Sequence, residues 1–311
     1  MAGSPAKDHR DRFRGCLLGL AAGDAVGTTV EFEPRGSFLP LTDMTGGGPF
    51  QLEPGQWTDD TSMALCLATS LIVRRGFDPA DQMNRYCRWS QLGYLSSNGT
   101  CFDIGSTVGA ALRRYQTTGE PFSGSADPHS AGNGSLMRLA PVPMFFHPDR
   151  ARIWHYCGES SRTTHGAQEC IDACRLFGDM LARALDGAAK AEILFSHEAT
   201  ELPSAAIRAI AQGAYRDKTA DDISGSGYVV HCLEAALWCF LTTDSFAAAI
   251  LQAANLGQDA DTTAAVCGQI AGAYYGESGI PAHWLGRLTM REEIAGLADK
   301  LYSSGRASAG R

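Results

Sequence analysis

Several things are missing from this chain of 311 residues, and each absence excludes a class of protein. No stretch stays apolar for the ~20 residues that a helical bilayer crossing needs. The opening segment, with Lys7, Asp8, Arg10, Asp11 and Arg12, has none of the apolar core of a signal peptide. The expectation is a cytoplasmic protein with no membrane partner. Positive charge is in short supply, 26 Lys and Arg against 34 Asp and Glu, and the net charge of −8 argues against general affinity for nucleic acid or anionic lipid. Ten cysteines include no C-x-x-C pair. They are scattered through apolar helical stretches (Cys66, Cys170, Cys174, Cys232, Cys239, Cys267), the pattern of reduced core thiols and not of metal ligands or disulfides. Alternating β-branched runs are scarce, which argues against a sheet-based fold. No Pro/Gly/Ser-rich or highly charged internal linker breaks the chain, so one domain over 1–311 is expected, although length alone suggests about two.

What is present reads as helix. Apolar residues recur at three-to-four-residue spacing over Asp11–Asp24, Thr61–Arg75, Pro79–Gln91, Ser106–Tyr115, Asp149–Ser161, Gln168–Leu185, Pro203–Tyr215, Tyr228–Leu241, Ser245–Asn255, Thr262–Tyr275 and Thr289–Tyr302. The expected fold class is all-α, a compact multi-helix bundle. Between the helices lie Gly-rich polar segments that are read as loops: Gly23-Asp24, Thr45 to Gly48, Asp103 to Ser106, Gly132 to Ser135 and Ser224 to Gly227. Such loops let a ligand approach the backbone closely, although each alone is also ordinary turn chemistry. Residues 1–9 and 303–311 read as flexible tails.

Two acidic runs stand out, Thr58-Asp59-Asp60-Thr61 and Asp259-Ala260-Asp261-Thr262-Thr263. Each opens a buried-looking helix, and each offers two carboxylates and a hydroxyl where an N-cap requires a single acceptor. If the two helix starts converge, each pair of carboxylates at ~4 Å repels by ~4 kcal/mol at an effective dielectric of about 20. Divalent cations would remove that repulsion. The donors are all oxygens, which suits Mg²⁺ or Mn²⁺ and not Zn²⁺ or copper. Four carboxylates with hydroxyls can hold two such ions in a central dinuclear cleft at the ~3.5–4 Å spacing of two-metal hydrolytic sites.

The order of motifs then becomes specific. Arg14 to Gly27 leads into Glu31-Phe32 and Trp57-Thr58-Asp59-Asp60-Thr61; Ala131-Gly132-Asn133-Gly134-Ser135-Leu136-Met137-Arg138 and Thr164-His165 follow; Asn255 to Thr263 ends the series. This series resembles the ADP-ribosylglycohydrolase family over nearly the whole chain, and within it the bacterial branch of dinitrogenase-reductase-activating glycohydrolases. The resemblance implies an all-α hydrolase using two Mg²⁺ or Mn²⁺ ions. It makes Thr58, Asp59, Asp60, Asp259, Asp261 and Thr262 metal ligands, with one carboxylate shared. It places Glu31 near the metals and Asp103 on the substrate side as a proton donor or acceptor; an N-cap role for Asp103 at the helix starting near Ser106 is the alternative. Asn133, Gly134 and Ser135 would present backbone N–H groups to a diphosphate, and Gly105 would also bind the ligand. Met137 and Arg138 would support that loop, His165 would bind ligand, and Tyr228 would stack on adenine.

The implied reaction is hydrolysis of the bond between ADP-ribose and an acceptor, an arginine side chain of a modified protein by branch resemblance, with Asp60 or Asp261 orienting the water or taking its proton. Serine, a nucleic-acid base and O-acetyl-ADP-ribose are alternative acceptors, nucleic acid entering as a partner only for a modified base. A non-catalytic ADP-ribose binder or crystallin-like protein is a third alternative, disfavoured because both acidic runs and Glu31 are retained. Two segments depart from the branch pattern or belong to this chain alone. His129-Ser130-Ala131-Gly132 carries one residue more than the branch tends to have, and Tyr94 to Cys101 reads as a rim that selects the acceptor.

Overall fold

Four glycines at four-residue intervals, Gly15, Gly19, Gly23 and Gly27, reduce one face of the first helix to bare backbone. A helix with such a face can approach another more closely than side chains would permit, provided the partner is equally bare. In the computed structural model, which describes residues 8–195 and 202–309, the partner is the helix that follows the second acidic run. A Cβ added to Gly19 would collide with the carbonyl oxygen of Gly268, and one added to Gly23 with that of Ala264. These two helices, α1 (His9–Gly27) and α12 (Ala260–Tyr275), are the central pair, buried almost end to end.

Around them the described residues form a wholly helical array with no strand. In chain order the others are α2 (Asp59–Arg74), α3 (Pro79–Leu92), α4 (Ser106–Thr118), α5 (Pro141–Phe146), α6 (Arg150–Arg162), α7 (Gln168–Asp186), α8 (Lys190–Phe195), α9 (Ala205–Ala211), α10 (Val229–Thr242), α11 (Phe246–Ala254), α13 (Ala282–Arg287) and α14 (Arg291–Ala309). The all-α expectation holds. Helices α2, α7, α10, α11 and α14 pack against the central pair, and one continuous apolar core results, from Phe13 and Leu17 through Trp57, Phe177 and Phe246 to Trp284.

Three points differ from the sequence reading. Gly23-Asp24 is the last full turn of α1 and no loop. The six-residue helices α5, α8 and α13 were not expected, because so short a segment shows no period, and α5 also contains two prolines. Residues 303–309, expected within a tail, continue α14. The expected N-terminal tail falls mostly on residues 1–7, outside the described residues.

Candidate active site

The two acidic runs do converge. Both begin helices, and neither supplies a side-chain cap to its own helix: Thr58 occupies the N-cap position of α2 and Asp259 that of α12, without capping bonds from either side chain. The capping work for α2 is done from outside by Asp24 of α1. Its Oδ1 accepts from the Thr58 N–H at 2.8 Å, and its Oδ2 from the Thr61 N–H at 3.0 Å and the Thr61 hydroxyl at 2.6 Å. Asp59 and Asp60 are thereby released from capping. The sequence reading ends a helix on Asp24 and places it in a Gly23-Asp24 loop, with no role at the site; its position directly after Gly23, inside the glycine-patterned α1, is the available signal.

The runs are also cross-linked. The Thr262 hydroxyl donates to Asp60 Oδ1 at 3.2 Å, and the Thr58 hydroxyl lies 3.2 Å from Asp261 Oδ2 and 3.0 Å from Asp24 Oδ1. Two acidic triads result, Asp59–Asp60–Asp261 and Glu31–Asp103–Asp261, each with one oxygen per residue within 4.8 Å of the others. Asp261 belongs to both. Three of their buried oxygens, Glu31 Oε2, Asp60 Oδ2 and Asp261 Oδ1, accept no hydrogen bond from the described residues. Among the described residues, no Lys or Arg lines the adjoining cleft.

Burial and mutual repulsion show in the protonation of this group. Burial first, then neighbouring carboxylates, pushes Glu31 up to about 10, and Asp59, Asp60 and Asp261 well above the ordinary range. Asp103 rises to about 7 for the same reasons, with Asp24 and Asp259 its main charged neighbours. Buried acceptor oxygens with no donor, an all-oxygen set and no counter-cation fit hard divalent cations. The acidic triads are thus able to bind metal.

Asp103 is not a helix cap. The N-cap position of α4 is Gly105, and Asp103 sits two residues earlier in the left-handed region (φ 58°), its carboxyl turned to Glu31 and Asp59. Asp259 lines the cleft outside the two triads, and its Oδ2 accepts the Asn133 side-chain amide at 2.8 Å. That bond ties the 132–135 loop to the second acidic run.

The cleft holds about 590 Å³ and is lined by Glu31, Phe32, Asp103, Asn133, Gly134 and His165 among others. In the expected phosphate loop the Asn133 N–H is taken by Gly227 O at 3.0 Å, and Ser135 turns its hydroxyl inward to Ser161 and Cys174. The backbone N–H groups of Gly134 and Ser135 have no acceptor among the described residues. Arg138 lies wholly buried beneath the loop, donating to Gly134 O at 2.9 Å and to the Thr164 hydroxyl at 2.7 Å, and so supports the loop without reaching the cleft. The Thr164 oxygen also lies 2.9 Å from His165 Nδ1, and the other ring nitrogen, Nε2, is the one nearer Gly132. Burial and the Arg138 charge hold the His165 pKa down to about 3, so the ring is neutral.

A second hollow of about 580 Å³ shares Thr107, Gly132 and Gly227 with the first and is lined by Tyr228, Glu169 and His129. The Tyr228 hydroxyl donates to Glu169 Oε2 at 2.7 Å, a partner that sequence reasoning missed. The loop at His129 with its extra residue forms part of this hollow. The segment 94–101, expected as a rim, lines neither hollow: Tyr94 lies under Arg88, and Ser97 donates to Trp57 O at 2.6 Å.

Helix ends are distributed unevenly. Helices α1, α3, α6 and α11, which start away from the two hollows, are capped by Asp8, Asp78, Asp149 and Ser245. Helices α4, α7, α10 and α12 have no side-chain cap, and residues at the start of each line one of the two hollows. The positive dipole ends of these helices favour an anion in this space.

Comparison with known proteins agrees with this geometry. The sequence model of the ADP-ribosylglycohydrolase family matches residues 5–310. An ADP-ribosylarginine hydrolase Tri1 of Serratia proteamaculans (strain 568) is 45% identical over 298 residues, 96% of this chain and 81% of that one. An ADP-ribosyl-[dinitrogen reductase] glycohydrolase of Rhodospirillum rubrum is 35% identical over 294 residues, 91% of this chain and 92% of its own. A solved structure described as an ADP-ribosylglycohydrolase-related protein complex superposes with a TM-score of 0.84 at 43% identity, covering 96% of this chain and 99% of that one. A helical array with two acidic triads in its cleft and a family match over almost its full length lead to one conclusion: the chain belongs to the ADP-ribosylglycohydrolase family.

Proposed function

We propose that this protein is a metal-dependent hydrolase that cleaves the N-glycosidic bond between ADP-ribose and an arginine side chain of a modified protein. The observation that carries the reading is Asp261, one carboxylate common to two triads, three of whose buried oxygens lack donors. Two relatives named as ADP-ribosylarginine hydrolases, 45% and 46% identical, support arginine as the acceptor.

Two Mg²⁺ or Mn²⁺ ions, held by Asp59, Asp60 and Asp261 and by Glu31, Asp103 and Asp261, would bring a water's pKa towards neutrality. Thr58 and Thr262, whose hydroxyls reach Asp261 and Asp60, keep the shared oxygens oriented. Asp60 or Asp261 accepts the proton of the water that attacks C1″ of the ribose. As the bond from C1″ to nitrogen breaks, its electron pair leaves with the guanidine. The guanidine nitrogen regains the proton that the attacking water gave up, and Asp103 faces the bond that breaks. ADP-ribose and the unmodified arginine side chain are the products.

The remaining groups bind. Free N–H groups of Gly134 and Ser135, with the uncapped start of α4 at Gly105 opposite, take the diphosphate; His165 Nε2–H donates to it or to the adjoining ribose. The Tyr228 ring in the second hollow takes adenine. We place this single-domain enzyme in the cytoplasm on the strength of ten free thiols.

The test is ADP-ribose release from arginine-modified protein with Mg²⁺ or Mn²⁺, beside an EDTA control and a panel of serine, nucleic-acid-base and O-acetyl linkages. Equal rates in EDTA would defeat the metal requirement. Turnover confined to another linkage would move the acceptor.

A further inference from the structure

Phe32 is a large apolar side chain in an exposed place. It is 64% exposed, it lines the cleft beside Glu31, and its backbone is left-handed (φ 67°), a region that phenylalanine ordinarily avoids. Neighbouring structure imposes this conformation. The Phe32 N–H donates to Gln258 O at 2.6 Å, and the Gln258 N–H donates to Glu33 O at 2.7 Å. Gln258, which directly precedes Asp259, is itself left-handed (φ 60°). Two strained residues thus clasp the Glu31 loop to the second acidic run, and the clasp leaves the Phe32 ring at the cleft mouth. Strain of this kind persists where the surroundings over-determine it and is concentrated at functional sites.

The ring is not alone. Phe32 meets Phe50 edge-on with centroids 6.3 Å apart, and Phe50 meets Phe102 at 5.2 Å. Phe102 precedes Asp103, so three rings link the Glu31 loop to the Asp103 loop, with Phe32 the one that lines the cleft. ADP-ribose is assigned above to Gly134, Ser135, His165 and Tyr228, which leaves Phe32, next to Glu31 of the second triad, for the group on the other side of the scissile bond.

We propose that Phe32, backed by Phe50 and Phe102, is the acceptor subsite, its ring face receiving the guanidinium plane of the modified arginine between itself and the Glu31 and Asp103 carboxylates. A flat, weakly hydrated cation suits an aromatic face flanked by acids, and guanidinium stacks on such a face where a hydroxyl or ester acceptor has no charge to offer. The inference rests on the arginine reading, which wild-type turnover of an arginine-linked substrate tests before any variant is made.

Phe32→Leu keeps apolar bulk and removes the ring; Phe32→Trp keeps the ring. On ADP-ribosylated arginine, Phe32→Leu is expected to raise KM about tenfold, the loss of one cation–π contact, with kcat little changed. Phe32→Trp is expected to stay within about twofold of wild type. Calorimetry with ADP-ribose alone, which has no acceptor, should give the same Kd for all three proteins. Wild-type KM in Phe32→Leu overturns the proposal, as does an equal loss of ADP-ribose affinity, which would mark Phe32 as a support of the loop. If Phe32→Leu does not fold, a tenfold rise of KM in Phe32→Trp at unchanged ADP-ribose affinity would equally contradict ring-face recognition.

Discussion

Asp24 accepts the Thr61 hydroxyl at 2.6 Å from another helix. The oxygen Oδ2 that does so also takes the Thr61 N–H, while Oδ1 takes the Thr58 N–H, so a buried carboxylate of α1 satisfies the start of α2. Removing it would leave these donors unpaired in a site that excludes water. Asp24→Ala should lower stability by about 2–4 kcal/mol, since hydrogen bonds to a buried charged group contribute roughly 1.5–3 kcal/mol each and do not add fully. Asp24→Asn keeps one carbonyl acceptor and should fall between. Urea unfolding of the three proteins checks the order, and an Asp24→Ala variant as stable as wild type would refute the external cap.

The acid cluster makes a signed prediction about pH. Glu31 at about 10 and Asp103 at about 7 lie above the ~4.3 and ~3.9 of unfolded glutamate and aspartate. A raised folded pKa means that these groups favour folding fully below about pH 4 and lose that contribution as pH rises, through about 7 for Asp103 and about 10 for Glu31. Without divalent cations the urea midpoint should therefore decline from pH 5 to pH 9. Saturating Mn²⁺ should reverse most of the decline and release protons on binding, because carboxylates must ionise to hold it. Asp261→Asn, which alters both triads at once, should abolish the Mn²⁺ effect and lower turnover at least about a hundredfold while the metal-free protein stays folded. An unchanged response in Asp261→Asn would show that the ions bind elsewhere.

The long helices were legible because amphipathic or wholly apolar spacing persists over a dozen residues or more; α5, α8 and α13 were not, because six residues contain less than two turns. The acidic runs were legible because composition alone, two carboxylates and a hydroxyl at each of two helix starts, exceeds what capping needs. Their internal assignments were less so. That Asp259 pairs with Asn133 while Asp261 joins both triads depends on a half-turn of α12, a rotation no residue type encodes. The Phe32–Gln258 clasp is made of backbone groups, which carry no sequence signature. The glycines of α1 were visible as residues, but glycine also marks loops, and only the facing Ala260, Ala264, Gly268 and Gly272 of α12 decide between the two meanings.

The central helix pair supplies a prediction with its own control. A methyl at Gly23 would collide with the carbonyl of Ala264, a backbone atom that cannot turn aside. Gly23→Ala should cost about 1–3 kcal/mol or more through forced separation of α1 and α12, and through Asp24 and Asp261 it should weaken the metal site as well. Gly296 in α14 has nothing within 4 Å of an added Cβ. There the same substitution should stabilise by about 0.5–1 kcal/mol, the difference in helix propensity. Thermal unfolding distinguishes the two; similar effects at both sites would mean that α1 and α12 do not approach as closely as the structure places them.

His165 is a different kind of test, because its chemistry is set from behind. Arg138 can only donate, so the Thr164 oxygen accepts from it; if the Thr164 proton goes in turn to His165 Nδ1, 2.9 Å away, Nε2–H is left for the cleft. With its pKa held to about 3, the ring stays neutral from pH 5 to pH 8 and should add no inflection to ADP-ribose binding across that range. Thr164→Val keeps the shape but removes the relay, freeing Nδ1 to take the proton and leaving one Arg138 donor unmet. ADP-ribose affinity should then fall about tenfold, the worth of one hydrogen bond to a phosphate oxygen. His165→Phe should lose a similar factor, and the double variant little more than either single one, since both remove the same donor. Fully additive losses in calorimetry would mean that Thr164 and His165 act independently, and the relay from Arg138 would then be only a packing arrangement.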